Sequence, residues 1–587
     1  MATFRPSEPL DPVKINQWRG VNESVGLTNL QLGEMLRQVN YRITNDYKLE
    51  KREGHKFLFK FGIDDTIQGM WEGHLNNKHV LVYCVNGNVY VYEIKTGYNT
   101  QIGSITDART SMIYFQGKLL FFNGTDFKEY DGTTFKDVEP YVPTIFIASP
   151  PEGGGIPFEP VNLLTGYKKQ QFQGDGTAKV FVIAEKPIES SGSSVKVNGF
   201  YVDYIKDQVT GEFTLTDAPE KGDLVEVEWL RVNYDNEDLV RKNRFCKTFG
   251  PGNDTAIFLW GNPDQKNRRT WCASLNYSYW PVDNFTYVGT DEYAITDIVA
   301  QNANYQMIFK EDRTYFSLAE QITLSDGTVK YDYPVYDLNE RVGNICFNGV
   351  QLVGDNAISI DQNSWWQWST AAVESQRNAN VISHRLQQSL SGLDLSKAVT
   401  FNYVSRKEYW CNVGNIVYVW NYGNNTMYTF DNISATQFLE IDGIAYYAST
   451  HGTIERMNDI NDNGVAVVAQ ADTGFYPFSG INLIKSSDIV FIGLLPDTKT
   501  SLTIYFKTNK ITEWKKIRKT AFYSLIDLDN IDFDNFTFLT NSNPQTFALE
   551  FSSNDYVYIQ FRLENAEKDE PCTVLDFLVQ AEVQGEV

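Results

Sequence analysis

Short apolar stretches of roughly 4–8 residues, many alternating with polar positions, recur along most of this chain and close on Gly-containing turns. "HVLVYCVNGNVYVYEIKTG" reads as strand, Asn-Gly turn, strand, then a turn at Thr96-Gly97. "SMIYFQGKLLFFNGTDFKEYDGTTFKDV" extends the theme to four strands joined at Gln-Gly, Asn-Gly and Asp-Gly. It returns in "NGVQLVGDNAISIDQNSWWQWS", "EYWCNVGNIVYVWNYGNNTMYTFD" and "IDGIAYYASTHGTIERMND". Asn-Gly and Asp-Gly favour tight hairpins because type I′ turns need positive φ at both central residues. Helical periodicity is scarce, and the one expected helical piece is short, around Leu32–Val39.

Units of about 30–50 residues with three or four strands each predict an all-β protein built around a β-propeller. One such sheet cannot bury both faces alone, so it must stack on neighbours, and a closed ring removes the end problem. Several unrelated sandwiches in series would show the same turns. Two segments break the pattern. "PPEGGGIP" is a boundary-type linker, after which "GDGTAKVFVIAEKPI" to "GDLVEVEWL" reads as a small inserted β-sandwich with hairpins at Asn198-Gly199 and Thr210-Gly211. Beyond Asp462 the chain reads as a C-terminal β-sandwich. Its "YVYIQF" places Tyr556, Tyr558 and Gln560 on one face, with Val557, Ile559 and Phe561 on the other. The expected organisation is an N-terminal segment (1–60) packing on or closing the propeller, blades over 61–159 and 236–462, the module at 160–235, and the sandwich at 463–587.

Composition strengthens the all-β expectation: aromatic residues make up 14% of the 587, and aromatics suit pleated, half-buried surfaces. The net charge of -23 disfavours tight nucleic-acid binding, which needs a basic surface. It leaves room for an acidic wall that nucleic acid slides past without sticking. Cys84, Cys246, Cys272, Cys346, Cys411 and Cys572 lie far apart with no CxxC, so buried free thiols are expected rather than a zinc site. No apolar stretch is long enough for a membrane span or signal h-region, so the sequence reads as a soluble protein of a reducing cytoplasm.

Candidate chemistry is thin. "DINDNG" (Asp459–Gly464) matches the first half of a calcium loop, but position twelve is Gln470 where a bidentate Glu is needed, so an inter-domain turn is expected. "LSDGTVKY" from Leu324 lacks the spacing and Trp of a sialidase-type aspartate box. A glycosidase needs two carboxylates at a set separation, and no pair stands out among 74 acidic residues. There is no Gly-x-Ser-x-Gly elbow or P-loop, and His55, His74, His79, His384 and His451 have no telling partners. No catalytic, cofactor or metal-binding residue is therefore assigned. One basic cluster around Trp514, comprising Lys510, Lys515, Lys516, Arg518 and Lys519 together with Lys507, is a candidate docking surface or a Lys-protected edge strand. Trp365, Trp366 and Trp368 in "NSWWQWS" are read as core or interface in preference to a sugar-stacking platform.

"LWGNPDQKNRRTWCAS" (Leu259–Ser274) mixes charge with a thiol but reads as a structural hairpin. Pro263 presets φ for a turn begun at Asn262, and Asp264 is expected to bond the backbone. Thr270 to Ala273 begins the next strand. Arg268 and Arg269 alternate faces, one reaching in to a carboxylate or carbonyl and the other meeting solvent or a neighbouring subunit.

The N-terminal "INQWRGVNESVGLTNLQLGEMLRQVNYRITNDYKLEKREG" resembles the corresponding segment of tail hub or nozzle (stabilization) proteins of tailed bacteriophages. The likeness rests on Gly20-Val21-Asn22, the Leu30–Glu34 phrase, Asn40, and the basic turn Lys51–Gly54, where Glu53 stands in place of the usual Pro. The Gly-Asn-Pro-Asp hairpin, "YWPVDNFTYVG" and the terminal "FRLEN" and "VLDFLV" are similar too, while the inserted module looks lineage-specific. The resemblance implies a non-enzymatic virion protein assembled in the host cytoplasm. It would form a ring, commonly six-fold, below the portal and adaptor, beside tail fibre or tip proteins, with double-stranded DNA passing through transiently. The rival expectations are a propeller glycoside hydrolase or depolymerase, and a receptor- or carbohydrate-binding tail-tip protein.

Overall fold

The computed structural model of the chain describes residues 9–251, 254–302, 305–323, 329–369, 378–478, 480–495, 499–523 and 544–586. The fold is all-β, made of many mostly antiparallel sheets; the α-helices among the described residues are single turns, Asp238–Arg241 and Gln387–Leu390. The described chain falls into two compact units. One runs from Gln68 to Gly343; the other joins the N-terminal segment to the residues from Asn344 onward.

The Gln68–Gly343 unit is dominated by four-stranded meanders. The first uses Lys78–Val85, Asn88–Glu93 and Asn99–Ser104 after Ile67–Leu75, and the second Ser111–Phe115, Lys118–Phe122, Phe127–Tyr130 and Phe135–Asp137. These are the strands and turns that the Gly-containing pairs mark in the sequence, and Asn86-Gly87 and Gln116-Gly117 both adopt positive φ. Two further meanders follow: Phe245–Phe249 to Phe285–Tyr287, then Ile295–Asn302, Tyr305–Lys310, Thr314–Leu318 and Val335–Asn339. Their strands carry apolar residues on both faces (all five residues of Ala256–Trp260 are buried), as stacked sheets require. Between the second and third meanders lies the inserted module, a six-stranded and a three-stranded sheet around Phe172, Phe181, Phe213, Val227 and Trp229.

In the other unit Gln351–Val353 opens one meander and Val399–Tyr403 another. A third, Ala435–Ile441, Ile444–Ser449 and Thr453–Asp459, takes its fourth strand from far upstream: Gly54–Lys60 pairs with Thr453–Asp459, Gly54 opposite Asp459. The remaining strands build a seven-stranded sheet and extend the Val399–Tyr403 meander into a ten-stranded one, over one large core containing Trp18, Tyr41, Trp410, Val490, Ile504, Phe561 and Phe577. Both sheets depend on the N-terminal segment. Val13–Ile15 and Leu49–Lys51 pair with Thr573–Val579, and Glu34–Val39 lies between Thr426–Asp431 and Ala469–Thr473.

Two expectations fail here for clear reasons. The Leu32–Val39 stretch is a strand from Glu34, not a helix. Its helix-favouring composition yields to pairing on both edges, and Gly33 at φ 88°, where a Cβ would fall on the Gln17 carbonyl, breaks the chain just before it. The "YVYIQF" run is not one strand either. One strand ends at Tyr556 and the next begins at Ile559, with Asn509 Oδ1 accepting from the amides of Val557 (2.8 Å) and Tyr558 (3.2 Å) at the bend.

Trp410 sits at the centre of the large core. It is fully buried, edge-on to Phe401, Tyr403, Phe430 and Phe438, and donates Nε1–H to Glu408 (2.8 Å). Trp410→Ala is predicted to cost about 3–5 kcal/mol, read as a drop in the urea-unfolding midpoint. A loss under about 1 kcal/mol would mean that this core is not closely packed.

Candidate functional site

Asn40 and the turn Lys51–Gly54 meet at one place. Arg52, its side chain wholly buried, donates to both carboxylate oxygens of Asp462 (3.0 and 2.7 Å), and its Nε donates to Asn40 Oδ1 (2.8 Å). Asn40 in turn donates to Asp431 (2.5 Å) and the Val468 carbonyl (2.8 Å), in the left-handed conformation (φ 56°) that Asn tolerates. Gly54 lies against the Asn461 backbone, where any Cβ would collide. Upstream, Asn22 donates to Glu34 (2.9 Å), and Gly20 at φ 73° packs against the backbone of Met427. The stretch Gly20–Gly54 is thus a clamp that fastens the start of the chain to the last meander and the terminal sheets.

Glu53 has its own partners. Its carboxylate takes both Arg42 and Arg406, and Arg42 also bonds Glu408 (3.0 Å). Burial works against charge on Arg42, but the carboxylates of Glu408 and Glu53 outweigh it and hold the guanidinium well above its ordinary value. Lys51 is driven down to about 8 by burial and donates to Asn565 (2.7 Å) and to the carbonyls of Glu567 and Glu570 (3.0 Å each).

"DINDNG" is the other jaw of the clamp. The Asp462 carboxylate that a calcium ion would need is occupied by Arg52, Asn432 (2.9 Å) and the His55 amide (3.3 Å). Among the described residues no cluster of His, Cys, Asp or Glu could hold a metal. All six cysteines are free and buried. His74 stacks on His79 at 4.7 Å, and His79 bonds Glu72 (2.6 Å). Residues 324–328 of "LSDGTVKY" lie outside the described residues.

The hairpin Asn262–Arg269 is also structural in geometry, with corrections. Asn262, not Asp264, bonds the turn backbone: its Oδ1 accepts from the Asp264 amide (3.0 Å), while Asp264 pairs with Lys242 (2.7 Å). The following strand begins at Arg268 rather than Thr270. Both arginines are buried, because neighbouring sheets cover both faces of this strand. Arg269 reaches across to Gln306 (2.5 Å), Ser317 (3.0 Å) and the Tyr333 carbonyl in the next meander, over the rings of Phe258 and Trp271. Arg268 lies 4.3 Å above the Phe285 ring and donates to Gln265 (3.0 Å).

In the basic cluster, Lys515 and Lys516 are exposed on Lys515–Tyr523, an edge strand of the ten-stranded sheet, with Lys510 in the preceding turn. Arg518 and Lys519 belong to that strand, but their side chains are outside the described residues. Trp514 is already engaged by Lys507 (4.7 Å) and by Arg562 (4.3 Å), which Asp472 pairs at 2.7 Å. Trp365 and Trp368 are fully buried, so they offer no sugar-stacking face, whereas Trp366 is half-buried. An open polar cleft of about 370 Å³ is lined by Lys118, Glu129, Lys136, Tyr141, Lys169 and Tyr277. Its Glu129 is tied to Lys118 (2.6 Å) and Tyr277 (2.8 Å).

No family model and no curated protein sequence matches the chain. Solved structures that overlay on it include the computationally designed Ika8 protein (10% identity, TM-score 0.30, 69% of this chain and 99% of that one). A chain of the mitotic checkpoint complex overlays at 10% identity and TM-score 0.34, covering 74% and 98%. An exo-β-1,3-galactanase from Phanerochaete chrysosporium does so at 9% identity and TM-score 0.22, covering 58% and 97%. Overlaps this loose carry no argument about function.

Two predictions follow from this geometry. Arg269→Ala strands three acceptors and is expected to cost about 3 kcal/mol or more, whereas Arg268→Ala loses one hydrogen bond and a ring contact, about 1–2 kcal/mol. Equal losses by chemical denaturation would refute the assignment of Arg269 as the tie between meanders. The second concerns pH. His55 lies 3.3 Å from both Glu455 and Asp462, and burial pushes its imidazole below the ordinary value, against the pull of those carboxylates. Burial pushes the Asp462 carboxyl up, but Arg52 more than reverses this, leaving it low. A depressed His is protonated first in the unfolded chain, so stability falls as pH drops below about 6.5; the depressed Asp adds its loss only below about 4. His55→Gln should therefore flatten the decline in unfolding midpoint between about pH 7 and 5, and an unchanged slope would exclude His55 as its source.

Proposed function

We propose that this chain is a structural protein of a bacteriophage virion, a subunit of the tail hub or nozzle ring that conducts DNA out of the capsid. In this reading the four-stranded meanders are blades of one β-propeller, closed by Gly54–Lys60 as the outer strand of the last blade. The inserted module and the terminal sheets are β-sandwich attachments that meet neighbours in the tail. One observation carries the proposal: Asn40 and the Lys51–Gly54 turn, two of the phrases that resemble those of tail hub proteins, converge on the Arg52–Asp462 clamp, while Gly20 and Asn22 anchor the same segment upstream at Met427 and Glu34. The likeness therefore lies in residues that determine how the chain is held together, which scattered coincidence would not select.

Charge and chemistry support the same role. A net charge of -23 suits a lumen that DNA must leave without sticking, since like charges repel. The buried Arg52 and Asp462 satisfy each other, and Lys51 is held by Asn565 and two backbone carbonyls, as a rigid ring subunit needs. The partners are further copies of itself, in a ring taken to be six-fold, with the portal and adaptor above and fibre or tip proteins beside it; it works in the virion tail, without enzymatic activity.

Size-exclusion chromatography with light scattering is expected to give a ring-sized oligomer, and negatively stained virions labelled with an antibody to this chain should carry label at the tail. A monomer at every concentration, with particles unlabelled, would sink the proposal. So would sugar release on incubation with host envelope glycans, which would favour a depolymerase.

A further inference from the structure

In the unit that carries the clamp, a cleft of about 190 Å³ is lined by Gln17, Arg19, Tyr47, Arg385, Asn424, Asn425 and Thr426. Not one of these is acidic, in a chain where Asp and Glu outnumber Lys and Arg by 74 to 51. Arg19 makes no ion pair among the described residues; its Nη1 donates to Gln31 Oε1 (2.7 Å), a neutral partner, leaving the remaining guanidinium donors. Arg385 stands beside it, its Nη1 on the Arg19 carbonyl (3.3 Å) and its Nη2 3.5 Å from Glu34. That carboxylate also accepts from Asn22 (2.9 Å) and the Gln31 amide (2.9 Å), so it offsets the Arg385 charge and leaves Arg19 as the unpaired cation of the cleft among the described residues.

The orientation of Asn425 is informative. Its Oδ1 accepts from Trp420 Nε1 (3.0 Å), which leaves its NH₂ as the end available to the cleft. Asn424 is used at both ends, donating to the Thr44 carbonyl (2.9 Å) and accepting from Thr426 (2.7 Å), and so holds the loop that presents its neighbour. The cleft therefore gathers two guanidinium groups, an amide NH₂ and the Tyr47 hydroxyl. Guanidinium forks match the oxygens of a phosphate group, and charge-assisted bonds to such an anion are the strong ones.

We propose that this cleft is a phosphate-binding site, taking either free phosphate or a phosphate of a nucleic-acid backbone. A carboxylate would engage only two oxygens, whereas the donors here come from separate segments, at Arg19, Tyr47, Arg385 and Asn425, and suit a tetrahedral anion. The site stands whether or not the chain forms a ring.

Isothermal titration calorimetry of the full chain, with inorganic phosphate, citrate and a short duplex oligonucleotide as separate titrants at fixed ionic strength, tests this. Phosphate is expected to bind, and Arg19→Met to weaken it roughly tenfold or more. Asn425→Asp is the sharper variant. It keeps the acceptor for Trp420 and tolerates the left-handed backbone (φ 57°) while placing a carboxylate in the cleft, so phosphate binding should vanish with the circular dichroism spectrum unchanged. Oligonucleotide binding that is stronger than phosphate and lost in the same variants supports the site and identifies its source as a phosphodiester. Absence of binding by phosphate and oligonucleotide alike, binding unaltered in Asn425→Asp, or citrate binding as tightly as phosphate would each overturn it.

Discussion

A guanidinium with no access to water must have its donors met inside the protein, and for Arg52 the main acceptor is the Asp462 carboxylate, 410 residues further along the chain. Leaving either partner unpaired in the interior would cost several kcal/mol. The pair therefore ties the N-terminal segment to the loop that ends the last meander, and its neighbours reinforce the tie. Asn40 bridges Arg52 to Asp431, Asn432 and His55 fill the remaining valences of Asp462, and Gly54 permits the close approach of backbones that the arrangement needs.

What the clamp secures is strand pairing. Without the first 60 residues, Thr453–Asp459 would lose its outer neighbour, and Glu34–Val39 would be missing from between Thr426–Asp431 and Ala469–Thr473. Exposed edges of this kind invite pairing with other chains, so filling them from the same polypeptide is also a protection against aggregation. Apolar burial around Trp410 and its ring of aromatics supplies the bulk of the driving force, which is non-directional. The ionic and Asn-mediated contacts add direction, fixing which segment enters which gap.

A similar division of labour appears around Arg269, where one buried cation gathers Gln306, Ser317 and the Tyr333 carbonyl from an adjacent meander. Polar groups placed between sheets in this way give each stack one preferred alignment. Rigid alignment is what the proposed ring subunit requires. The cleft at Arg19 and Arg385 differs in kind, because Arg19 makes no ion pair among the described residues.

Much of the architecture is written locally. The hairpins of Lys78–Glu93 and Ser111–Asp137 follow from alternation and Gly-containing turns, since the turn residue and the two flanking strands are sequence neighbours. Buried thiols and the buried Trp365 and Trp368 are likewise legible, because surrounding apolar residues announce burial. What Asn40 and Arg52 touch is not legible, because Asp431 and Asp462 lie 391 and 410 residues away. The tertiary structure alone decided that Leu32–Val39 would yield a strand, that Arg268 would be buried beside Arg269, and that Arg42 would meet Glu408, 366 residues away. Local propensity is worth a fraction of a kcal/mol per residue, while a strand slot open on both edges, or an unpaired buried charge, is worth several, so long-range partners overrule it.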